Sequence, residues 1–282
     1  MNLNQLDVNL GGGSLLQVAN RSASQMMSYI IETPEKQTVI IDGGNYCEAD
    51  GKKLYELIKE RGGIVHHWII THAHTDHYGA LLWIFENILE FDIKIENFYL
   101  NFPPLDWFKT LNTGESYKYV EKFFDQLKLH NVKITPFLKG NKFDFGGVTA
   151  EVLNNCDDYL QADNANGTSI IFFIHFPKRS ILFLGDLDKA AGNRFLATND
   201  PSVLKCDIVQ MAHHGQDGVG KNIYEAIKPK ICLYTAPDWL WDNDNGNGKG
   251  SGPWLTLETR RWMEELNVQV SCPAAYGDYL LK

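Results

Sequence analysis

Apolar positions along this chain switch repeatedly between a period near two and a period near 3.6, so short strands alternate with amphipathic helices. Residues 27–32 and 38–42 read as strands joined by a turn at Pro34 and Glu35. Residues 50–61 carry Leu54, Leu57 and Ile58 at helical spacing and stop at Gly62-Gly63. The same reading gives a strand at 66–71, a helix at 76–89, a strand at 97–101, a helix at 116–130 and a strand at 132–136. The second half opens with hairpins, 142–153 pivoting on Gly146-Gly147 and 169–176 with 180–184 around Pro177. Alternation then resumes: helix 189–197, strand 207–211, helix 221–227, strand 230–234, helix 254–266, strand 268–272 and a last strand near Tyr279. Only 239–253 reads as an unstructured, mobile loop, because WDNDNGNGKGSGP is rich in Asn, Asp and Gly. No repeat or linker divides the chain. The expectation is one α/β domain over 1–282, a four-layer αββα sandwich of two halves, about 1–140 and 141–282.

The chain has 282 residues and a net charge of −9, which argues against non-specific coating of nucleic acid, since that needs basic surface. An anionic substrate stays open, because bound cations would invert the local field. Five scattered cysteines without a CxxC pair read as free thiols of a reducing compartment. The first residues lack the basic and apolar regions of a signal peptide, and no run approaches the roughly 18 apolar residues of a membrane span. A cytoplasmic, membrane-free protein is expected, its oligomeric state open.

The chemistry concentrates in Thr71-His72-Ala73-His74-Thr75-Asp76-His77, where an apolar strand runs into a helix. His72 and His74, two apart, share a face if the backbone stays extended; Asp76 and His77 fall where the helix begins. His and Asp together suit zinc or a similar metal. One turn cannot close two metal sites, so distant ligands are expected. Asp186 ends the buried run SILFLGD, where an unpaired carboxylate would be costly; it either bridges two cations or caps the following helix. His213-His214 end the next apolar strand, and either can be the ligand.

With these motifs the chain resembles the metallo-β-lactamase fold superfamily of metallohydrolases: Asp42 in IIDGG, HxHxDH at 72–77, Asp186, and His213/His214. The resemblance implies that Asp42 supports the site without ligating; a plain turn residue before Gly43-Gly44 is the alternative. The metal-binding histidine that many members carry before the fourth motif is missing, for the stretch reads NANGTS. His175 and His130 are expected to be structural or exposed. Asn166, Ser169, LFLGD and HHG are similar to a branch that includes the hydrolase domain of competence DNA-uptake proteins and phosphorylcholine esterase, and Asn166 and Ser169 are expected to line the site.

The resemblance implies two divalent ions, zinc by default with manganese or iron as alternatives. His72, His74 and Asp186 would hold one; Asp76, His77, Asp186 and, by similarity to the esterase, His214 the other. A water shared by the ions would be activated for attack, with His213 stabilising charge and Asp76 able to orient the nucleophile. The expected substrate is a small-molecule or nucleotide-type phosphodiester or related phosphoester. The alternatives are a thioester, lactone or lactam, or a non-catalytic metal-binding module. Tyr46, Tyr78, Trp107, Trp239 and Trp241 are candidates to stack on a base or cradle a choline-type cation at the mouth, or to pack the core. The 239–253 loop is a candidate lid, its Lys249 a candidate phosphate contact.

Overall fold

Two sheets stacked face to face, each covered outside by helices, make the four-layer sandwich that the sequence predicts. A computed structural model describes residues 3–111, 116–156, 162 and 164–282. The first sheet holds β1 (Leu3–Leu6), β2 (Ser14–Gln17), β3 (Tyr29–Glu32), β4 (Thr38–Ile41), β5 (Ile64–Ile69), β6 (Lys94–Leu100) and β7 (Ile134–Pro136). The second holds β8 (Lys142–Asp144), β9 (Thr149–Val152), β10 (Phe172–His175), β11 (Ser180–Phe183), β12 (Ile208–Gln210), β13 (Ile231–Tyr234) and β14 (Val270–Pro273). The last strand, β15 (Asp278–Leu281), returns to the first sheet, parallel to β1 and antiparallel to β2. The sheets therefore do not follow a single cut of the chain at 141.

β4, β5, β6 and β7 run parallel, as do β11, β12, β13 and β14. Their crossovers are helical: α1 (Glu48–Glu60), α2 (Thr75–Asn87) and α4 (Ser116–Leu129) on the first sheet, α5 (Lys189–Thr198), α6 (Lys221–Ile227) and α8 (Thr256–Glu265) on the second. Short helices α3 (Leu105–Phe108) and α7 (Asp238–Trp241) complete the set. β4 and β12 are buried on both faces, and all their residues but Thr38 and Gln210 are apolar. Between the sheets Phe183 stacks on Phe172 at 5.1 Å and meets Tyr29 edge-on at 5.2 Å. Outside the first sheet, Leu54, Leu81 and Phe123 seal the helices onto Trp68 and Phe98; outside the second, Phe195, Ile223 and Met263 do the same.

Some expectations are corrected, and for two aromatics the open alternative is decided. β1 and β2 were not expected, because they are held by pairing with β15 from the far end of the chain, which leaves no local signal. Residues 239–253 are not an unstructured loop. They begin inside α7, and Asp244 Oδ1 then accepts from the backbone of Gly246 (2.7 Å) and Gly248 (2.9 Å), while Asn243 Oδ1 accepts from Trp254 (3.1 Å). Lys249 pairs with Asp242 at 2.9 Å rather than standing free for a phosphate. Tyr78 and Trp241 are core aromatics, Tyr78 stacked on Phe123 at 4.4 Å and Trp241 edge-on to Tyr234 at 5.1 Å. Among the described residues no helix is long and apolar enough to cross a membrane.

Candidate metal centre

The sequence-predicted ligands gather beyond the carboxyl ends of parallel strands, where open α/β sheets place their sites, with Asp76 and His77 in the first turn of α2 after β5. Asp42 follows β4, His72 follows β5, Asp186 follows β11, and His213 and His214 follow β12. Because the two sheets face each other with these ends aligned, residues more than a hundred positions apart meet.

Asp186 Oδ2 is the centre. It lies 3.2 Å from His77 Nε2, 3.5 Å from His214 Nε2, 3.8 Å from His72 Nε2 and 3.9 Å from His213 Nε2. Two groups form around it: His72, His74 and Asp186, and Asp76, His77, Asp186 and His214, their donor atoms within 4.8 Å of one another in each. Asp186 belongs to both. It does not cap a helix, because Asp188 does so for α5, accepting from Ala191 N at 2.7 Å.

The histidine rings are aimed by their second nitrogens. His77 Nδ1 is 2.8 Å from Asp42 Oδ2, and His214 Nδ1 is 2.9 Å from Thr235 Oγ1. His72 Nδ1 is 3.2 Å from Thr71 Oγ1. Asp42 Oδ1 also accepts from Thr71 N at 2.8 Å, so one buried carboxylate fixes both the strand end and the ring. Occupying Nδ1 fixes the tautomer and turns Nε2 inward, as metal-binding histidines require. Asp76 Oδ2 accepts from Gln25 Nε2 at 3.2 Å and lies 3.1 Å from His214 Nε2; Gln216 Nε2 donates to Gln25 Oε1 at 2.9 Å.

His213 stands apart from both groups, with Nδ1 3.2 Å from Asp217 Oδ1 and its ring at the rim. Asp42, His213 and His214 all have left-handed backbones, with φ 58°, 52° and 57°. Such conformations cost non-glycine residues on the order of 1 kcal/mol or more and persist where surrounding structure imposes them. Gly215 (φ 88°) closes the turn; a Cβ there would overlap the Tyr234 ring.

Charge is heavily concentrated here. Burial opposes ionisation of Asp186, but His77, His214 and His213 hold its carboxyl well below the ordinary range. Burial likewise opposes the charged form of His214, yet Asp186 and Asp76 lift it to about 9. His77 is raised against burial by Asp186 and Asp42, whereas His72 and His74 are pushed down, first by burial. Despite this, His72 Nε2, His77 Nε2 and both carboxylate oxygens of Asp186 are buried without a hydrogen-bond partner. Orphaned polar atoms this deep are costly. Divalent cations fit: imidazole nitrogens and carboxylates are the donors that first-row metals take.

The sequence profile of the Metallo-beta-lactamase superfamily matches residues 23–228, which span all of these groups. The chain belongs to the metallo-beta-lactamase superfamily. No curated protein matches it. Among solved structures it is similar to the metallo-beta-lactamase fold protein YhfI from Bacillus subtilis. They share 12% identity with a TM-score of 0.56, over 95% of this chain and 99% of that one. It is also similar to CmlA, a diiron beta-hydroxylase from Streptomyces venezuelae (12% identity, TM-score 0.54, 93% of this chain). It spans about half of that protein, 52%. At these identities the likeness is one of fold.

Sequence reasoning passed over Thr71, Thr235, Asp217, Gln25 and Gln216. Thr71 had a signal, standing at the end of an apolar strand run directly before His72; Thr235 ends an apolar run far in sequence from His214, and Gln25 had none. Ser169 is buried, and its Oγ accepts from Asp186 N at 3.1 Å, so it holds the turn behind the carboxylate. Asn166 lies in the 3-10 turn Ala165–Thr168 with its Oδ1 buried and unpartnered. His175 bridges Ser180 and Glu151, and His130 stacks on Phe85. Trp239 packs on Trp254 and donates to Ala23 O.

Proposed function

We propose that the chain is a binuclear metal-dependent hydrolase acting on a phosphodiester or related phosphoester. The observation that carries this is Asp186, buried, with both oxygens unsatisfied and four imidazole Nε2 atoms within 3.9 Å of one of them. His72, His74 and Asp186 would hold one ion, and Asp76, His77, Asp186 and His214 the other. Two divalent ions there would lower the pKa of a shared water and neutralise charge developing on the phosphoryl group.

The chain's own residues do the rest. Asp42, Thr71 and Thr235 keep three rings oriented without reorganisation, which is how a preorganised site avoids spending energy during reaction. Gln25 fixes the Asp76 carboxylate from outside. His213, held by Asp217 at the rim, is placed to hold a proton against an oxygen of the substrate. The stretch in which many members carry another histidine has none here, so the first group would have three protein ligands and could take a substrate oxygen as a further one. Zinc is the expected metal.

Metal analysis of purified protein should find two equivalents, and Asp186→Asn should retain fewer than one. With metal bound, bis-p-nitrophenyl phosphate or p-nitrophenyl phosphorylcholine should turn over faster than a thioester or nitrocefin. Preference for the thioester would move the substrate to carbonyl chemistry. Turnover of none, with metal present, would make the chain a metal-binding module.

A further inference from the structure

Charge on this acidic chain is unevenly spread. The candidate metal centre lies beyond the carboxyl ends of β11, β12 and β13. At their amino ends is a separate cavity of about 700 Å³, adjoined by one of about 440 Å³. Five cations line the larger one: Lys178 and Arg179 from the β10–β11 turn, Lys205 ahead of β12, and Lys228 and Lys230 ahead of β13. Asp207 is the single carboxylate among its lining residues, and it is already shared by Arg179 Nη1 and Lys230 Nζ, each at 2.9 Å.

Lys178, Lys205 and Lys228 are exposed and make no ion pair among the described residues. Elsewhere, lysines of this chain commonly find a carboxylate, as Lys36, Lys52, Lys122 and Lys142 do. Like charges gathered around a concave wall repel one another and focus a positive field into it. A chain with acidic residues in excess, 35 against 26 basic, does not reach that arrangement by average composition.

We propose that this cavity binds a soluble oligophosphate anion, remote from the metal centre and independent of the activity assigned to it. Several cations converging from three loops suit a ligand with several negative charges. Arg179 adds a planar fork and the lysines add point charges, the pairing that phosphoryl oxygens favour. A nucleic-acid strand fits less well: Phe176, the one Phe, Tyr or Trp in the lining, is buried, and the half-buried His175 ring is held between Ser180 and Glu151.

The test is calorimetric titration of inorganic tripolyphosphate into the intact protein at low ionic strength, repeated on Lys178→Ala/Lys205→Ala/Lys228→Ala and on Asp186→Asn. The lysines are exposed, so the triple variant should keep the wild-type melting temperature. Its affinity should fall roughly tenfold or more, while Asp186→Asn binds as wild type does. Absence of binding by wild type at low salt overturns the proposal. So does loss of binding in Asp186→Asn alone, which would assign the anion to the metal centre. Lysine-dependent binding of a DNA duplex in preference to tripolyphosphate would also overturn it, making the surface a nucleic-acid contact.

Discussion

A single hydrogen bond separates a histidine that can serve a metal from one that merely fills space. His214 shows this: its ring is buried, its Nε2 faces Asp186 and Asp76, and Thr235 Oγ1, 2.9 Å from Nδ1, holds the ring in that orientation. Thr235→Val keeps the volume and removes that partner. Losing such a support typically lowers metal affinity about 10–100-fold. Competition with a chromogenic chelator should therefore show one of two metal equivalents weakened by that factor, the other unchanged. Equal retention of both equivalents would mean that His214 is not a ligand. The left-handed backbones of His213 and His214 belong to the same scale: the turn that strains them also sends one ring inward and the other to the rim.

At the scale of elements, α2 depends on one glycine for its position. The backbone of Tyr46 lies against Gly79, and a Cβ there would overlap Tyr46 N. Gly79→Ala gains about 1 kcal/mol of helix propensity but forces α2 away from the segment after Asp42, an overpacking cost of about 3 kcal/mol. The clash should win: urea denaturation should show a net loss of about 2 kcal/mol, and metal retention should fall because His77 moves with the helix. An unchanged midpoint would show that the segment yields instead. Element logic also explains what could be read from sequence. HxHxDH is local to one turn, and the apolar runs before Asp186 and His213 announced the strand ends that deliver them. β1, β2 and the return of β15 to the first sheet rest on pairing between the two chain ends, which no local pattern encodes. The 239–253 segment misled for a related reason. Asn, Asp and Gly favour turns, but composition does not say whether Asp244 and Asn243 will close those turns with hydrogen bonds.

For the whole molecule the decisive contact is sheet against sheet, because the candidate ligands come from both. His67 reports on that closure away from the candidate metal centre. It stacks on Phe145 at 4.0 Å, sits 3.1 Å from Tyr99 Oη and 3.0 Å from Gln37 Oε1, and has His66, Glu96 and Asp144 nearby. Burial, assisted by His66, pushes its pKa down to about 4, against 6.5 in an unfolded chain. Between those values the unfolded chain takes up a proton that the folded one refuses, so this contribution is intact above pH 6.5 and is lost as the pH falls towards 4. The full shift corresponds to about 3 kcal/mol, and the ring's partial access to water reduces this to about 2 kcal/mol. His67→Phe keeps the stacking and removes the titration. It should be less stable than wild type at pH 7, having lost two hydrogen bonds, yet lose less stability between pH 7 and pH 4.5, so that the two urea midpoints converge on acidification. Carboxylates and the candidate metal ligands titrate alike in both proteins and cancel in the comparison. Parallel midpoints across that range would mean that His67 is solvated well enough to charge freely, and that acid acts on the sandwich elsewhere.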